Sequence, residues 1–592
     1  MILRMSTKNI LLFFIAGLMA CIVNGQSESL SIYDKYQGND SEKVYVGVNT
    51  TLLFTGEYLY YAVFCLNDKT KQPSDISSLA YVHLVSEDGT TVFKHKIGLK
   101  NSKGQGEFFV PTSVPSGNYR LIGFTKWMLN GSQDLFFHED ISIINPYQSN
   151  QSAILDSGMK SNEYVSTYSS DERAEKDKRF VLETDKREYA KRAKVTLNIK
   201  NFRGASGYGN YLLSVRRKSE FKTQLLGKDP IKFIEQYSVL TQGKLPKYQN
   251  INHLPEVLGE RVLGKVISSS PDIGIADRIV AISIPGDDFQ LKAAITDEDG
   301  EFYIDVFQKY TKPLIIAQLI DGDREGLKVQ ITEEPSFKFV DLKFKKFSID
   351  STMKKSILKR SIHNQIENAY FEARPDTLIT SESDNPFWGS EVEEYNLDDY
   401  TRFPTLIETM VEIMPFASIR RDGPDNFIFN VRLFDTYEGP EQGALVFIDG
   451  MLITSHKRIV ELDSKIIEQI MVVRDKFELA GKGYRGLINI KTFNKDYFET
   501  TNEDYLTKLQ LRPPGKNKKY FKQHYGLGQE NDNNNVPDYR YQLLWEPNVK
   551  LEGSGDKFDF FTSDVPGIYE IKLEGFSIYG RPVSLHNTIT VE

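Results

Sequence analysis

With 592 residues, 40% of them apolar and 26% charged, the chain is long enough for about three to five domains with ordinary hydrophobic cores. Its 81 acidic residues outnumber 73 basic ones, and the formal net charge of −8 argues against nucleic acid as a partner. Only Cys21 and Cys65 carry thiols, so a disulfide framework is excluded.

Arg4 and Lys8 precede an apolar run from Ile10 to Val23, and the sequence turns polar at Asn24, the pattern of a secretory signal peptide. The run is too short to span a bilayer permanently. Two processing routes fit. Val23-Asn24-Gly25 offers small residues for cleavage, giving a signal peptide over 1–25 with Gln26 as the new N-terminus. Leu18-Met19-Ala20-Cys21 instead resembles a lipobox, in which Cys21 would be lipidated. Both routes predict export to the periplasm or cell surface. Cleavage after Gly25 leaves Cys65 alone in the strand-like run Tyr60 to Leu66, where a buried structural thiol is expected.

Residues 26–147 predict an all-β module, with strands at Lys43 to Val48, Tyr58 to Leu66, Ala80 to Val85 and Gly106 to Val110. Gly104 to Pro111 and Ser116 to Asn130 resemble the macroglobulin-type sandwich of exported Bacteroidota proteins. Tyr119, Phe124 and Trp127 are expected in its core. Residues 148–178, rich in Ser, Asn, Asp and Lys, read as a linker.

A second sandwich is expected over 179–253, where Val195, Leu197 and Ile199 alternate along one face; it also resembles a macroglobulin repeat. A third, over 254–335, has strands at Ile279 to Pro285 and Ala293 to Ile304, the latter pair joined at Asp299-Gly300. It resembles the small carboxypeptidase regulatory-like sandwich, which carries no peptidase chemistry. Asp297, Glu298 and Asp299 lack the spaced ligands of a helix-loop-helix calcium site and read as a hairpin turn.

Residues 336–396 read as a helical and acidic linker. Met353, Ile357, Leu358, Ile362, Ile366 and Ala369 recur at helical spacing and predict an apolar, inward face, with Lys354, Lys355, Lys359 and Arg360 opposite on a solvated face.

Over 397–494, Pro404 suits the first turn of a helix with an apolar stripe of Leu406, Met410 and Ile413, stopped by Pro415. A strand is expected at Asn426 to Arg432. Ala444 to Ile453 reads as an apolar strand broken by Asp449-Gly450, Ile466 to Arg474 as a short amphipathic helix running into a strand, and Gly486 to Thr492 as a further strand. That order and wording resemble the plug domain of TonB-dependent outer-membrane receptors. The barrel around such a plug needs about twenty strands of roughly ten residues, and 100 residues follow Thr492. The expectation is therefore a plug-like domain without its own barrel. The resemblance implies partner-binding residues at Ile448, Asp449, Gly450, Arg474, Gly486 and Asn489, with Asp449 serving turn geometry. On that reading Asp449→Ala costs about 1 kcal/mol, and residues 397–494 can be deleted without unfolding their neighbours.

Residues 495–592 read as a C-terminal sandwich. Lys516 to Lys522 and Gln529 to Asn535 are expected as exposed loops, before strands at Tyr539 to Pro547, Phe558 to Asp564 and Gly567 to Gly575.

The fold class expected is thus mainly β and multi-domain, with serial macroglobulin-like or immunoglobulin-like sandwiches and one small α+β plug-like domain. No metal-binding, phosphate-binding, dinucleotide or nucleophile-elbow motif stands in the sequence, and His138 beside Glu139 and Asp140 reads as a satisfied histidine rather than a ligand. No catalytic residue and no cofactor is therefore expected. The reading is a non-enzymatic, outer-membrane-associated interaction or scaffold protein. Its plug-like domain would dock on an outer-membrane complex, such as a TonB-dependent receptor barrel or an export or assembly machine. An accessory role in TonB-dependent nutrient uptake is the alternative, and an undetected extracellular hydrolase the third option.

Overall fold

Three β-sandwiches and one mixed unit emerge from a computed structural model. It describes residues 36–592 apart from 37, 156–179, 222–223, 249, 287, 307–311, 321–323, 333–338, 340–341, 380–385, 390, 425, 435–441 and 527–534. The signal-peptide and lipobox expectations, Cys21, residues 156–178 of the 148–178 linker and most of Gln529 to Asn535 lie outside the described residues; the described start of that linker is packed, with Ile154 buried against Phe347 and Ile349. Among those described, no helix is long and apolar enough to cross a membrane.

In the first sandwich, strands Glu42–Val48, Tyr58–Asn67 and Lys103–Phe109 form one antiparallel sheet. The facing sheet runs Leu52–Phe54, Phe137–Ile144, Gly117–Phe124, Leu79–Ser86, Thr91–Gly98. Side chains from both, including Tyr45, Val63, Leu84, Leu121 and Ile141, share one core. Tyr119, Phe124 and Trp127 are buried, and the Trp127 indole N–H donates to the Asp40 carbonyl at 2.9 Å, so these aromatics pack rather than bind. Cys65 is buried too, with its thiol donating to Glu42 at 3.4 Å and pushed up by burial. Strand Thr91–Gly98 has no clear sequence signal because Lys94, His95 and Lys96 interrupt its alternation.

Residues 179–253 and 495–592 are not two sandwiches. Strand Gly209–Arg217 is hydrogen-bonded on one side to Gly567–Ser577 and on the other to Gln542–Leu551, and Lys194–Asn201 lies between Phe180–Thr184 and Gly555–Phe561. Both sheets take strands from both halves, and Val195, Leu197 and Phe560 of one sheet share a core with Leu213, Val549 and Ile571 of the other. Neither half alone completes either sheet. Arg192 clasps Asp564 through two 2.7 Å bonds across this composite sandwich. The rest of 179–253 leaves it: helix Pro230–Leu240, capped by Asp229, inserts Phe233 and Tyr237 into the core of the first sandwich.

Strand Lys194–Asn201 follows the alternation read from the sequence, whereas Ile279–Ile284 is buried throughout and Gln290–Ile295 and Glu301–Val306 stand in facing sheets rather than in the hairpin expected at Asp299-Gly300. In the 260–331 sandwich, sheet Glu301–Val306, Glu260–Ser268, Leu327–Ile331 faces sheet Gln290–Ile295, Ile279–Ile284, Leu314–Leu319. Thr507–Gln510 joins the second sheet from far downstream. Asp297 accepts the N–H groups of Asp299 and Glu301 at 3.0 and 2.8 Å, closing a turn rather than opening a cation site.

Residues 342–379 are not a linker. Helix Lys354–Ala369 buries Arg360, Ser361, His363 and Asn364, while Leu358 and Ile362 are 59% and 46% exposed. The expected faces are therefore only partly kept: Met353 and Ile357 pack inward and Lys354, Lys355 and Lys359 stay exposed, but Leu358 and Ile362 face outward and Arg360 inward. Burial follows an acidic partner, Glu57 of the first sandwich, rather than the apolar stripe.

The unit that carries Ile448-Asp449-Gly450 has a five-stranded sheet in the order Glu393–Asn396, Ile467–Leu479, Lys482–Thr492, Leu445–Ile448, Met451–Leu452. Helix Leu406–Ile413 covers it, with Thr405 as the cap accepting the Glu408 N–H, so Pro404 stands before the helix rather than in its first turn. The Ile466 segment is a 3-10 turn, Ser464–Ile466, and not an amphipathic helix; the strand has begun by Ile467. This unit shares its core with the 260–331 sandwich. Ile316 lies among Met410, Val446 and Ile488, and Phe289 stacks between Trp388 and Phe447, with centroids at 4.3 and 4.9 Å. Cutting out 397–494 would strip both faces, so the clean deletion expected from the sequence is not available. Likewise Lys516 to Lys522 is not a free loop: Lys518–Lys519 pairs with Thr377–Leu378 and Tyr520 is buried on the first sandwich.

Candidate functional site

Asp449 and Gly450 form the two-residue turn of the hairpin in which Ile448 pairs with Met451, and both have left-handed backbones, φ +50° and +81°. Asp is one of the few side chains that tolerates this region, and Gly follows it in the commonest hairpin turn. Any side chain at Gly450 would also meet Phe289, whose Cβ lies 2.4 Å from the position a Cβ would take. The turn is thus seated on the 260–331 sandwich.

The Asp449 carboxylate is buried and fully engaged. Oδ1 accepts the Thr492 N–H at 2.8 Å; Oδ2 accepts the Thr492 hydroxyl at 2.7 Å and the Tyr497 N–H at 3.1 Å. Asn489 is also buried, and its Oδ1 accepts the Gly450 N–H at 3.4 Å. Accepting three bonds, Asp449 is placed as a tether for the end of strand Lys482–Thr492. Beside it opens a cavity of about 100 Å³ lined by Lys312, Lys491, Lys495 and Phe498. Lys312 comes from the distant 260–331 sandwich, which is why no local pattern announced it.

The structure brings together Ile448, Asp449, Gly450 and Asn489, but it places Arg474 and Gly486 elsewhere. These two lie at the irregular step between Val473 and Lys476, where Gly486 has φ +80° and a Cβ would stand 2.8 Å from the Val473 carbonyl. Arg474 is held between the rings of Phe416 and Phe434, 3.9 and 4.0 Å from their centroids, and pairs with Glu393 at 3.0 Å. Both are therefore structural fixtures, and Ile448 is wholly buried.

The tether has an outward consequence. Phe493 follows Thr492 directly, is 48% exposed, and donates its N–H to the carbonyl of Ile466, itself 42% exposed. Arg402 lies 5.3 Å from the Phe493 ring and donates to the carbonyls of Ser464 and Ile467 at 2.6 and 2.8 Å. Ile466 and Phe493 are thus two exposed apolar residues joined through the backbone on a braced support, with cationic Arg402 over the Phe493 ring. Sequence reasoning missed this pair because it looked inside the motif rather than one residue beyond it.

Among the described residues no group of three or more His, Cys, Asp or Glu side chains is placed to hold a metal. His138 bonds the Gln133 carbonyl at 2.9 Å and is pushed down to about 4 by burial.

No family model matches the chain, and no curated protein matches it. Among solved structures, Escherichia coli alpha-2-macroglobulin activated by porcine elastase is 8% identical over 93% of this chain and 44% of that one, with a TM-score of 0.23. Salmonella alpha-2-macroglobulin reacted with methylamine gives 8%, 93%, 39% and 0.23. Listeria innocua β-glucosidase with isofagomine is 14% identical over 18% of this chain and 16% of that one, at 0.13. The chain spans less than half the length of either alpha-2-macroglobulin, and scores of this size carry no functional argument.

Proposed function

We propose that this protein is a non-enzymatic, exported scaffold that docks on an outer-membrane transport, export or assembly complex through the unit containing Ile448-Asp449-Gly450. The order of motifs over 397–494, similar to a receptor plug, supports the partner class, and the N-terminal apolar run supports export. The macroglobulin-like wording of the first and composite sandwiches fits a spacer role.

The observation that carries the reading is the Asp449 tether, which fixes Thr492 and so holds the exposed Phe493 beside Ile466. An aromatic anchor next to an aliphatic residue, with an arginine over its ring, is the chemistry of an interface hot spot. Affinity isolation of the tagged full chain from native membranes tests it. Phe493→Glu should lower recovery of the outer-membrane partner at least tenfold while leaving thermal unfolding unchanged. Recovery at the wild-type level would remove this surface as the docking element. Co-isolation of a receptor with its surface lipoprotein, rather than export or assembly subunits, would assign the protein to nutrient uptake.

A further inference from the structure

Among the described residues, Lys43, Lys96 and Lys103 are buried in the first sandwich, and their surroundings differ. Lys43 pairs with Asp68 at 2.9 Å and Lys96 with Glu260 at 2.6 Å, the carboxylate partner that a buried ammonium requires. Lys103, 5% exposed at the start of strand Lys103–Phe109, has two neutral oxygens instead. Its Nζ donates to Asn210 Oδ1 at 2.9 Å and to the Tyr211 carbonyl at 2.8 Å, and it lies 4.5 Å from the centroid of the Phe64 ring.

Both acceptors come from strand Gly209–Arg217 of the composite sandwich, and 107 residues separate Lys103 from Asn210. The register of that strand slips at Tyr211, where its neighbour Gln542–Leu551 passes through Pro547, which has no N–H to give. Lys103 takes up the carbonyl at this irregular step. Close by, Asn548 donates to Gln105 at 2.8 Å, so the two sandwiches are held face to face around the lysine.

This setting turns the amine into a reagent. Burial pushes Lys103 well below its ordinary range, opposed only in part by the charge of Glu546, and the uncharged amine carries a nucleophilic lone pair. With a C=O bond of about 1.2 Å, the 2.9 Å contact to Oδ1 puts Nζ no more than about 4.1 Å from Asn210 Cγ, against about 3–3.5 Å in a near-attack arrangement. Strands on either side hold the two groups together, and the Phe64 ring and the buried position keep water from competing. Asn210 itself is half-buried, which leaves a small product a way out.

We infer that Lys103 and Asn210 join in an intramolecular isopeptide bond that staples the first sandwich to the composite sandwich. The Nζ lone pair forms the bond to Cγ, and the Cγ–Nδ2 bond breaks. Nδ2 leaves as ammonia with the proton that Nζ gives up, and Glu546, the carboxylate whose charge acts on Nζ, carries that proton. One amide replaces another, so no oxidant, reductant or co-reactant is consumed. The product removes the buried ammonium, and its remaining N–H keeps the bond to the Tyr211 carbonyl. This cross-link is independent of the docking surface at Phe493.

Tryptic digestion of the purified, denatured full chain, followed by tandem mass spectrometry, tests it. The expected result is one branched species joining residues 101–120, uncut after Lys103, to residues 204–216, lighter by one ammonia than the two peptides together. Because no co-reactant is needed, recombinant protein should carry it as fully as protein from native membranes. Lys103→Met should abolish the species and release 204–216, and Glu546→Gln should slow its formation in pulse-labelled cells about a hundredfold. Quantitative recovery of 104–120 and 204–216 as separate peptides from wild type would overturn the inference, and that outcome needs no variant to fold. A branched species that persists in Lys103→Met would overturn it too, by placing the bond on another side chain.

Discussion

Glu57 and Arg360, 303 residues apart, form a doubly bonded ion pair at 2.7 Å for each contact, with both side chains less than a tenth exposed. Arg216 of the composite sandwich reaches the same carboxylate at 3.2 Å, and the Arg360 guanidinium lies 4.4 Å from the Phe54 ring. One carboxylate thus joins the first sandwich, the composite sandwich and the long helix. Burial pushes the Glu57 carboxyl up, but the two guanidiniums outweigh it and hold it below its usual value. This contribution is therefore present above the ordinary carboxylate pKa of 4.5 and is lost as pH falls through the lowered folded value.

Arg360→Ala should cost about 3–5 kcal/mol, because it strands a buried carboxylate. Glu57→Gln combined with Arg360→Met and Arg216→Met should cost less than Arg360→Ala alone, since no uncompensated charge of the Glu57 cluster remains. Chemical denaturation of wild type and the two variants checks the order, and a larger loss in the combined variant would show that the charges do not act as one group.

The same pair shows what the sequence could and could not convey. Apolar spacing located helix Lys354–Ala369 and placed Met353 and Ile357 correctly inward, but it set Leu358 and Ile362 inside and Arg360 outside, because Arg360 follows its ion pair rather than the apolar pattern. Alternation located strands such as Lys194–Asn201 and Gly567–Ser577, yet their union in one sandwich depends on pairing across more than 300 residues, which no local window contains. In the candidate site, Ile448-Asp449-Gly450 was legible as a turn from the residue types that tolerate positive φ. Its partners Thr492 and Tyr497, the neighbouring Lys312 and the outward Phe493 were not, because they depend on how separate segments meet.

Asp449→Ala should cost about 2–3 kcal/mol, more than an ordinary turn substitution, since it removes a carboxylate that accepts three bonds and leaves the buried Thr492 N–H unpaired. Amide exchange at Thr492 and Tyr497 should accelerate in the same variant. Unchanged exchange there would show that the tether does not order the strand end.

Glu139 is buried against the backbone N–H of Lys228 at 2.6 Å, and burial pushes its carboxyl up to about 7. The folded protein then binds the proton more tightly than the unfolded chain, whose value is near 4.5, so this group makes stability fall as pH rises from about 4.5 to about 7 and adds no further slope above. Glu139→Gln should remove that slope and raise the melting temperature above pH 7 relative to wild type. A parallel pH profile in the two proteins would contradict the assignment.

Cys65→Ser should cost less than about 1.5 kcal/mol, because serine can donate to Glu42 as the thiol does. The native thiol should resist alkylation until the protein unfolds, as expected for a buried group held in its protonated form. Rapid labelling of folded protein would place Cys65 in contact with solvent.

The most direct measurement of the docking proposal is in-cell photo-crosslinking with a benzophenone amino acid replacing Phe493, and with a second probe replacing Phe202 on the composite sandwich, which is 64% exposed. The expected result is a covalent adduct between position 493 and an outer-membrane component, suppressed by Ile466→Glu and absent from position 202. Adducts to the same component from position 202, with none from 493, would contradict docking through the Asp449-tethered surface and move the interface to the sandwiches.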